Sequence, residues 1–577
     1  MVIPKTRLSF ARRIATLTPL ARAKEGGAEL LVRTVLHIWQ KSKFSSLACR
    51  APHGSKQFLE TPEVQGFAEW LATQEFNESA YWLATAYAMW VTEAVRSERA
   101  LYFTPPRLAD RVIDDLVLRG ADLASGRWHD PACGGAAFLV PVAQRMRLVL
   151  EAQGLGPAGV LARIQRNLSG NDLDPVLLFV SDQFLRMALF DLIDVGGGDL
   201  KFQLTQANGL SPHFGGAQPP DVVICNPPYR KLKAAEVAGY LPMYAVVIQG
   251  QPNIYGLFII RCLQLVKTDG LVGLLTPTSF LSGQYFSKLR TELLTNSDLL
   301  QIDMLSDRVA MFLGVQQETV VTVLKTRPPK KMAPTSTEVF VLTPEGKFEN
   351  VGRCLLPASG KPWPIPRAAG DATLLLRAAE SSSRLSSFGY VAKVGHLVGY
   401  RDARPMYKKH PLRARPGSVL PIVWATDITP DGKFQHDRPH KLVRTKRYVR
   451  VSGDGVGVVK PPAVLMQRLT SSNQRSRLIA TVVPETWAEG QGGFVCENHV
   501  IALLPTSASA ASSGILAKLL NSAAVNRIFR AISGASNVAI SELNELPLPA
   551  PTALAEALKH TDSFDEAVLR AYEAAAS

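Results

Sequence analysis

Cysteine is scarce and scattered in this chain of 577 residues. Its six cysteines stand far apart, and no two of them form a Cys-x-x-Cys pair. Zinc sites and the disulfide frameworks of small secreted domains use cysteines at short, regular spacings. The sequence therefore predicts no metal site and no disulfide framework, and it suits a reducing cytoplasm.

The chain also lacks a long apolar run of the kind that crosses a membrane. Residues 239–260 carry no charge, but Pro242, Pro252 and several amide side chains interrupt them. A spanning helix needs about 20 predominantly apolar residues. The first 25 residues are basic and contain no apolar signal core. We therefore expect neither a membrane span nor a secretory signal.

Acidic residues are outnumbered, with 49 Asp and Glu against 64 Lys and Arg, which gives a net charge of +15. Such an excess favours a polyanionic partner. Residues 401–450 hold 13 Lys and Arg against 4 Asp and Glu, interleaved with aromatic side chains. This pattern favours contact with phosphates and bases, and a solvated basic surface is the alternative. Lys408, Lys409 and Arg413 are our candidates for DNA binding.

Four regions are predicted along the chain. Residues 1–98 have a helical pattern with an aromatic stripe that we interpret as packing. Residues 99–345 alternate strand and helix patterns, which indicates an open α/β sheet of the Rossmann-like kind. We expect a linker at 346–384. Residues 385–577 show shorter apolar runs broken by Gly and Pro, which predicts a separate α+β domain.

The stretch Asn226-Pro-Pro-Tyr229 follows an apolar run that reads as a buried strand. Two prolines make the turn stiff and remove two backbone donors, so acceptors remain: the Asn226 side-chain oxygen and nearby carbonyls. Tyr229 places an aromatic ring beside them. Acceptors next to a ring suit a planar amino group such as that of a nucleic-acid base. A proline-rich turn after a core strand is the alternative.

Other polar residues are predicted near the carboxyl ends of neighbouring strands. Thr104-Pro-Pro opens a helix, and Asp130-Pro-Ala-Cys-Gly134 forms a loop of small residues that lets a ligand approach the backbone. Asp172 ends the second strand, and Asn208 ends the third. An acid at the end of the second strand commonly binds ribose hydroxyls. The alternative for Asp172 is a helix cap, a role that Asp174-Pro175 fits better.

In this order and spacing, these segments resemble the gamma class of amino-group adenine DNA methyltransferases, of the Eco57I-like modification type. The resemblance covers residues 100–325 and, more weakly, 385–577. It implies S-adenosylmethionine as methyl donor, double-stranded DNA as substrate, and a prokaryotic restriction-modification system whose endonuclease is a separate protein. It also implies a carboxyl-terminal domain that recognises the DNA target.

The resemblance further assigns roles by motif position. Asn226 and Pro227 would accept the hydrogens of a flipped adenine amine, with Pro228 completing the turn. Tyr229 would stack on the base, and Phe312 is the candidate for its other face. The residues implied for the cofactor are Thr104, Asp130, Ala132, Gly134, Asp172, Leu173 and Asn208.

Two positions depart from the family pattern. Ala136 stands where the family has a glycine, and it would be strained at a positive φ. Asn208 stands where the family usually has aspartate, although an amide oxygen still accepts a hydrogen bond.

Three other functions remain open from the sequence. Similar Asn-Pro-Pro-Tyr turns occur in methyltransferases of protein glutamine and of RNA, which usually lack both the Thr-Pro-Pro segment and a long basic domain. A non-catalytic DNA-binding specificity protein would retain a decayed core, and the intact motif argues against it. A fused restriction nuclease is the third alternative, but the chain shows no convincing Asp…Glu-x-Lys pattern outside the methylase core.

Overall fold

The computed structural model describes residues 5–47, 50–196, 200–211, 218–305, 318–330, 335–357, 359–399, 401–436, 446–451, 455–470, 474, 476–533 and 537–574. The chain forms two compact units. The first comprises Met1–Phe280, Gln284–Glu349 and Leu356–Lys361, and the second comprises Leu281–Gly283, Asn350–Leu355 and Pro362–Ser577. Within the described ranges, no helix is long and apolar enough to cross a membrane.

Helices occupy the first hundred residues. They span Lys5–Arg22, Gly27–Lys43, Lys56–Leu59, Pro62–Thr73, Phe76–Trp90 and Glu93–Arg99, with a 3₁₀ turn at Ser45–Leu47. Their aromatic stripe is buried, and the rings of Phe10 and Trp82 lie 4.5 Å apart. These side chains share one hydrophobic core with Trp128 and Leu271 of the sheet. The amino-terminal helices are therefore part of the first unit's core.

The first unit is built on a large mixed sheet. Its strands are β1 Trp128–Asp130, β2 Leu168–Asp172, β3 Gln203–Gln206, β4 Val222–Cys225, β5 Leu271–Pro277, β6 Ser297–Leu305, β7 Thr319–Thr326, β8 Thr335–Leu342 and β9 Phe348–Leu356. The strand order is β3-β2-β1-β4-β5-β7-β6-β8-β9. Strands β1 to β5 are parallel, and β7 runs antiparallel to both β5 and β6.

Helices connect the strands of this sheet. They span Pro106–Leu118, Leu139–Ala152, Pro157–Asn167, Pro175–Ala188, Phe190–Gly196, Ala234–Tyr244, Ile254–Leu265, Ser279–Ser282 and Ser287–Asn296, with a 3₁₀ turn at Gln284–Phe286. The strand order reverses at β1, which lies between β2 and β4. Ligands of open α/β sheets bind at such a reversal, outside the carboxyl ends of the strands.

Two polar side chains of the short strand β1 have hydrogen-bond partners close by. The Trp128 indole donates to the Asp122 carbonyl at 3.0 Å, and His129 Nδ1 lies 2.9 Å from the Ser169 hydroxyl on β2. Burial lowers the pKa of His129 to about 4, so its imidazole is neutral at physiological pH. The polar sequence of β1 is therefore compatible with a buried strand in the interior of the sheet.

The second unit combines two sheets with helices. Its strands are β10 Tyr390–Val394, β11 Met406–Tyr407, β12 Val419–Val423, β13 Tyr448–Arg450, β14 Val458–Val459, β15 Val464–Gln467, β16 Ala480–Val482, β17 Phe494–Cys496 and β18 Val500–Pro505. Four of them form a sheet in the order β10-β18-β15-β16, and five form another in the order β11-β13-β12-β17-β14.

Helices of the second unit span Asp371–Glu380, Glu485–Glu489, Ser513–Asn521, Ala523–Ile532, Ile540–Glu545, Pro551–Ala557 and Phe564–Glu573, with 3₁₀ turns at Leu385–Phe388 and Ala425–Asp427. Most of them share a core with the four-stranded sheet, in which Val464 and Ile501 meet Leu516 and Val525. The range predicted as a linker, 346–384, contains β9 and the helix Asp371–Glu380. The four-part division of the chain stays a prediction.

Candidate active site

A cavity of about 440 Å³ lies at the carboxyl ends of β1, β2 and β4. Most of the residues singled out in the sequence line it, namely Thr104, Asp130, Ala132, Gly134, Asp172, Leu173, Asn208, Asn226 and Pro228. Pro227 is buried beside them. Segments separated by up to 120 residues in the chain therefore converge on one pocket, because the parallel strands all end at the same edge of the sheet.

The Asn226 amide is held at both ends. Its Nδ2 donates to the Thr104 hydroxyl at 3.0 Å, and its Oδ1 accepts from the Tyr229 hydroxyl at 2.5 Å. The Tyr229 oxygen also lies 2.8 Å from the Leu275 carbonyl on β5. An amide oxygen has two lone pairs, so Oδ1 can accept a second hydrogen. Thr104 and Tyr229 thus hold the two ends of the amide in place.

Tyr229 packs on protein in this arrangement. Its ring lies edge-on to Tyr255, with centroids 6.2 Å apart, and burial raises the pKa of its hydroxyl well above the usual range. The hydroxyl therefore stays protonated and donates. Stacking of this ring on a base stays a prediction.

The small-residue loop after β1 has a tightly constrained backbone. Gly134 has φ +52°, and a side chain there would meet the Phe103 ring at 3.3 Å. Ala136 has φ +59° and is buried. A left-handed conformation costs a residue other than glycine about 1–2 kcal/mol. The strain expected at Ala136 is therefore present.

Two of the carboxyl groups that line the cavity have raised pKa values. Asp130 accepts from the Ala132 amide at 3.0 Å, and burial raises its pKa to about 8. Asp172 accepts from the amides of Gly134 and Asp174, each at 2.9 Å. Burial raises the pKa of Asp172 to about 6, against the effect of these backbone donors. Both acids have a higher pKa than an exposed carboxyl, so a cation or a hydroxyl donor would favour their ionised form.

Asp174 caps the helix Pro175–Ala188, as its sequence position predicted. Its Oδ1 accepts from the amides of Val176 and Leu177 at 2.9 and 3.4 Å. Its other oxygen accepts from the Tyr87 hydroxyl at 3.1 Å and from Arg99 Nη1 at 2.5 Å. Tyr87 and Arg99 come from the amino-terminal helices, to which the sequence assigned no chemistry.

The segment just before Thr104 also lines the cavity. Residues 98–103 form part of the wall, including Tyr102 and Phe103. These residues were not assigned to the site from the sequence. Their position directly before the Thr104-Pro-Pro turn could have indicated that they line it.

Leu173 and Asn208 lie at the ends of β2 and β3. Leu173 is apolar yet 65% exposed, because its side chain faces the cavity. Asn208 Oδ1 accepts from the Leu210 amide at 3.0 Å, and its Nδ2 donates to the Tyr240 hydroxyl at 3.2 Å. Asn208 is thus oriented by its own turn and by the helix Ala234–Tyr244.

The thiols beside the motifs are not nucleophiles. Cys133 and Cys225 are buried, and burial raises the pKa of both thiols well above the usual range. A thiol attacks as its thiolate, so neither side chain is activated for covalent chemistry.

The predicted DNA contacts lie apart from these motifs in the chain. Lys408, Lys409 and Arg413 are exposed in the second unit, between β11 and β12. Phe312 lies outside the described residues.

Known proteins share both the motifs and the fold. Residues 200–312, which contain Asn226-Pro-Pro-Tyr229, match the family model described as Eco57I restriction-modification methylase. This part of the chain is therefore similar to Eco57I-like restriction-modification methylases. The resemblance stated from the motifs is thereby confirmed.

Curated relatives of this chain are type II methyltransferases. M.BsuBI of Bacillus subtilis is 21% identical over 337 residues, which are 56% of this chain and 64% of the relative. M.PstI of Providencia stuartii is 24% identical over 369 residues, which are 59% of this chain and 67% of the relative. The chain thus spans less than two thirds of M.BsuBI.

A solved structure shares the fold along nearly the whole chain. The type IIL restriction-modification enzyme MmeI, determined in complex with DNA, aligns with 98% of this chain and 95% of its own, with a TM-score of 0.56 and 10% identity. The α/β fold class predicted from the sequence is confirmed by the sheet and by this likeness.

Proposed function

We propose that the chain is a site-specific DNA adenine-N6 methyltransferase of a restriction-modification system. The observation that carries the proposal is the Asn226 amide, oriented by Thr104 and Tyr229 in the same cavity as Asp130 and Asp172. Its similarity to Eco57I-like methylases and its type II relatives support this function. We further propose that the cognate endonuclease is a separate protein.

The cavity fits S-adenosylmethionine as methyl donor. The glycine loop has a place that a side chain at Gly134 would fill, and two carboxyl groups and the apolar Leu173 face the same space. Asp130 would hold the methionine end, Asp172 the ribose hydroxyls, and Leu173 and Asn208 the adenine ring. When bound, this cofactor supplies an electrophilic methyl group on a sulfonium sulfur.

The acceptors at the end of β4 would activate the substrate amine. The adenine amino nitrogen is a poor nucleophile because its lone pair is delocalised into the ring. Asn226 Oδ1 and the Pro227 carbonyl would each accept one amino hydrogen and favour a pyramidal nitrogen with a freer lone pair. During transfer of the methyl group, these dipoles would stabilise the positive charge that develops on nitrogen, and the nitrogen would then release one proton to water.

Tyr229 has one hydroxyl proton and two acceptors. It donates to Asn226 Oδ1, and the Leu275 carbonyl lies 2.8 Å away as an alternative. When the adenine amine donates to Oδ1, the Tyr229 proton can turn to Leu275 without being left unpaired. The adenine must leave the duplex to reach these groups, which costs a few kcal/mol of unpairing.

The test is methylation-sensitive sequencing of duplex DNA after incubation with the protein and S-adenosylmethionine. We expect N6-methyladenine at one defined sequence. Asn226→Ala should lower the rate by at least about a hundredfold, the usual effect of removing one preorganised hydrogen-bonding group. Its cofactor affinity, measured by calorimetry, should change little.

Cys225→Ala is the matched control, since it changes the neighbouring residue and removes an inert thiol. It should keep the wild-type rate. Methyl groups on cytosine, on RNA or on protein glutamine instead of adenine would refute the proposed substrate, and near-normal turnover by Asn226→Ala would refute the mechanism.

A further inference from the structure

A basic loop with an apolar tip joins β11 to β12 in the second unit. It runs from residue 408 to residue 418 and contains two consecutive turns. The Ala414 amide donates to the Pro411 carbonyl at 3.1 Å, and the Ser418 amide donates to the Arg415 carbonyl at 3.0 Å. Leu412 is therefore one of the two central residues of the first turn, where side chains point away from the loop.

Leu412 is fully exposed, with a relative accessibility of 104%. Among the large hydrophobic side chains that the structure describes, the next most exposed are Val195 at 77% and Leu118 at 76%. Single exposed apolar residues are common on protein surfaces, so exposure alone is weak support for a contact. The surroundings of Leu412 supply the second observation.

Four cations flank this leucine in the sequence. Lys408, Lys409, Arg413 and Arg415 are all exposed, and none has an ion-pair partner among the described residues. Asp402 is the single acidic residue between positions 401 and 426, and it pairs with Arg404 at 2.7 Å. The loop therefore offers a concentrated positive charge to a polyanion.

The base of the loop is fixed to the sheet. β13 lies between β11 and β12 and pairs with both of them. The His410 ring lies edge-on to Tyr448 of β13, with centroids 5.4 Å apart. A tip on such a base is positioned before any partner arrives, so the entropic cost of ordering it on binding is small.

We propose that this loop inserts Leu412 into a groove of double-stranded DNA while the four cations contact the phosphates beside it. Phosphates line both edges of a groove, and base edges and base steps form its floor, where apolar side chains make contacts or act as wedges. Along the loop, cations precede and follow the leucine, just as phosphates lie on both sides of the groove floor. The inference rests on the DNA substrate proposed above and adds the residue that enters the duplex.

Salt dependence separates the two kinds of interaction. Full-length protein should be titrated with one duplex at several salt concentrations. Leu412→Ala should weaken binding roughly tenfold at every salt concentration, since it removes apolar burial, and leave the slope against log salt unchanged. Replacing Lys408, Lys409 and Arg413 by Gln should instead reduce the slope by about 0.9 for each phosphate that the variant no longer neutralises.

Two further variants sharpen the test. Leu412→Phe should retain most of the affinity, because the apolar contact survives. Leu118→Ala, at another highly exposed leucine, is the control and should bind like the wild type. Wild-type affinity of Leu412→Ala, or an altered salt slope in that variant, would overturn the inference.

Failure of the loop and failure of the proposed function can be told apart. If the wild type methylates adenine and Leu412→Ala binds like the wild type, only the loop inference fails. If the wild type binds duplex DNA with the expected Leu412 effect but transfers no methyl group, the proposed reaction fails. A wild type with no affinity for duplex DNA overturns both.

Discussion

The two side chains that contact the Asn226 amide, Thr104 and Tyr229, have different roles. Thr104 holds the amide nitrogen, whereas Tyr229 holds the oxygen and also supplies a ring. A substitution at Tyr229 can therefore separate positioning of the acceptor from stacking on the base.

We expect Tyr229→Phe to slow methyl transfer about five- to thirtyfold, since it removes one hydrogen bond of about 1–2 kcal/mol. Because the ring stays, the KM for DNA should change little, and cofactor affinity should not move. Tyr229→Ala should lower the rate further and should also raise the KM for DNA. Single-turnover kinetics with saturating duplex measures the difference. A full rate for Tyr229→Phe would show that the hydroxyl does not orient Asn226.

Cofactor binding should strengthen as pH rises from 5.5 to 8.5. Asp172 and Asp130 have raised pKa values, about 6 and about 8, so Asp172 ionises in the lower part of this range and Asp130 in the upper part. A bound cation and ribose hydroxyls favour the carboxylates, so affinity rises as each acid ionises. Calorimetry at several pH values should show that Asp172→Asn flattens the lower part of the profile and Asp130→Asn the upper part. A flat profile for the wild type would contradict both assignments.

At the scale of elements, the amino end of the helix Pro175–Ala188 connects the site to the first hundred residues. Asp174 caps this helix, accepts from Tyr87 and Arg99, and donates its amide to Asp172. One residue therefore connects three parts of the unit: the Asp174 carboxylate holds the helix cap and the amino-terminal helices, and the Asp174 amide holds the second-strand acid.

Asp174→Ala should cost about 2–4 kcal/mol, since it removes a helix cap and leaves the buried Tyr87 hydroxyl without its acceptor. Losing the cap should also weaken cofactor binding, because the Asp174 amide that donates to Asp172 is then held less firmly. Asp182→Ala on the same helix is the control, because its ion pair with Arg186 is partly exposed and worth less than about 1 kcal/mol. Thermal unfolding and cofactor titration report the two effects. Equal destabilisation in the two variants would show that the cap has no special role.

Local patterns predicted the parallel strands and the residues at their ends, because buried strands and polar strand ends leave a signal in neighbouring residues. They did not reveal that Tyr87 and Arg99 reach Asp174. Apolar residues at helical spacing show that one face of a helix is buried. They do not show which other part of the chain packs against that face. The contact of Asn226 with Thr104 and that of Tyr229 with Leu275 were missed for the same reason, since each joins residues that are distant in the sequence.

At the scale of the whole molecule, charge is unevenly distributed along the chain. The excess of Lys and Arg at 401–450 was visible in the sequence, and it placed the proposed DNA contacts in the second unit. The turn that exposes Leu412 between those cations was not visible, because hydrophobicity alone assigns a leucine to a core.

Stability of the chain should also depend on pH, through a buried pair of acids away from the cavity. Arg111 Nε lies 2.9 Å from Asp115 on the helix Pro106–Leu118 and 2.7 Å from Asp303 on β6. One guanidinium cannot neutralise both buried carboxylates. Burial, followed by repulsion from Asp303, raises the pKa of Asp115 to about 8.

We therefore expect the free energy of unfolding to fall as pH rises from about 4 to about 8, the interval between the unfolded and folded pKa values of Asp115. In this interval the folded chain keeps a proton that the unfolded chain has released, which removes up to about 1.4 kcal/mol per pH unit. Asp115→Asn should reduce this slope, to which Asp130 and Asp172 also contribute, and Asp114→Asn, an exposed acid one position earlier, should leave it unchanged. The measurement is the thermal unfolding midpoint of each variant at pH 5.5, 7 and 8.5. If the two variants give parallel profiles, Asp115 is ionised in the folded chain and Arg111 neutralises both acids.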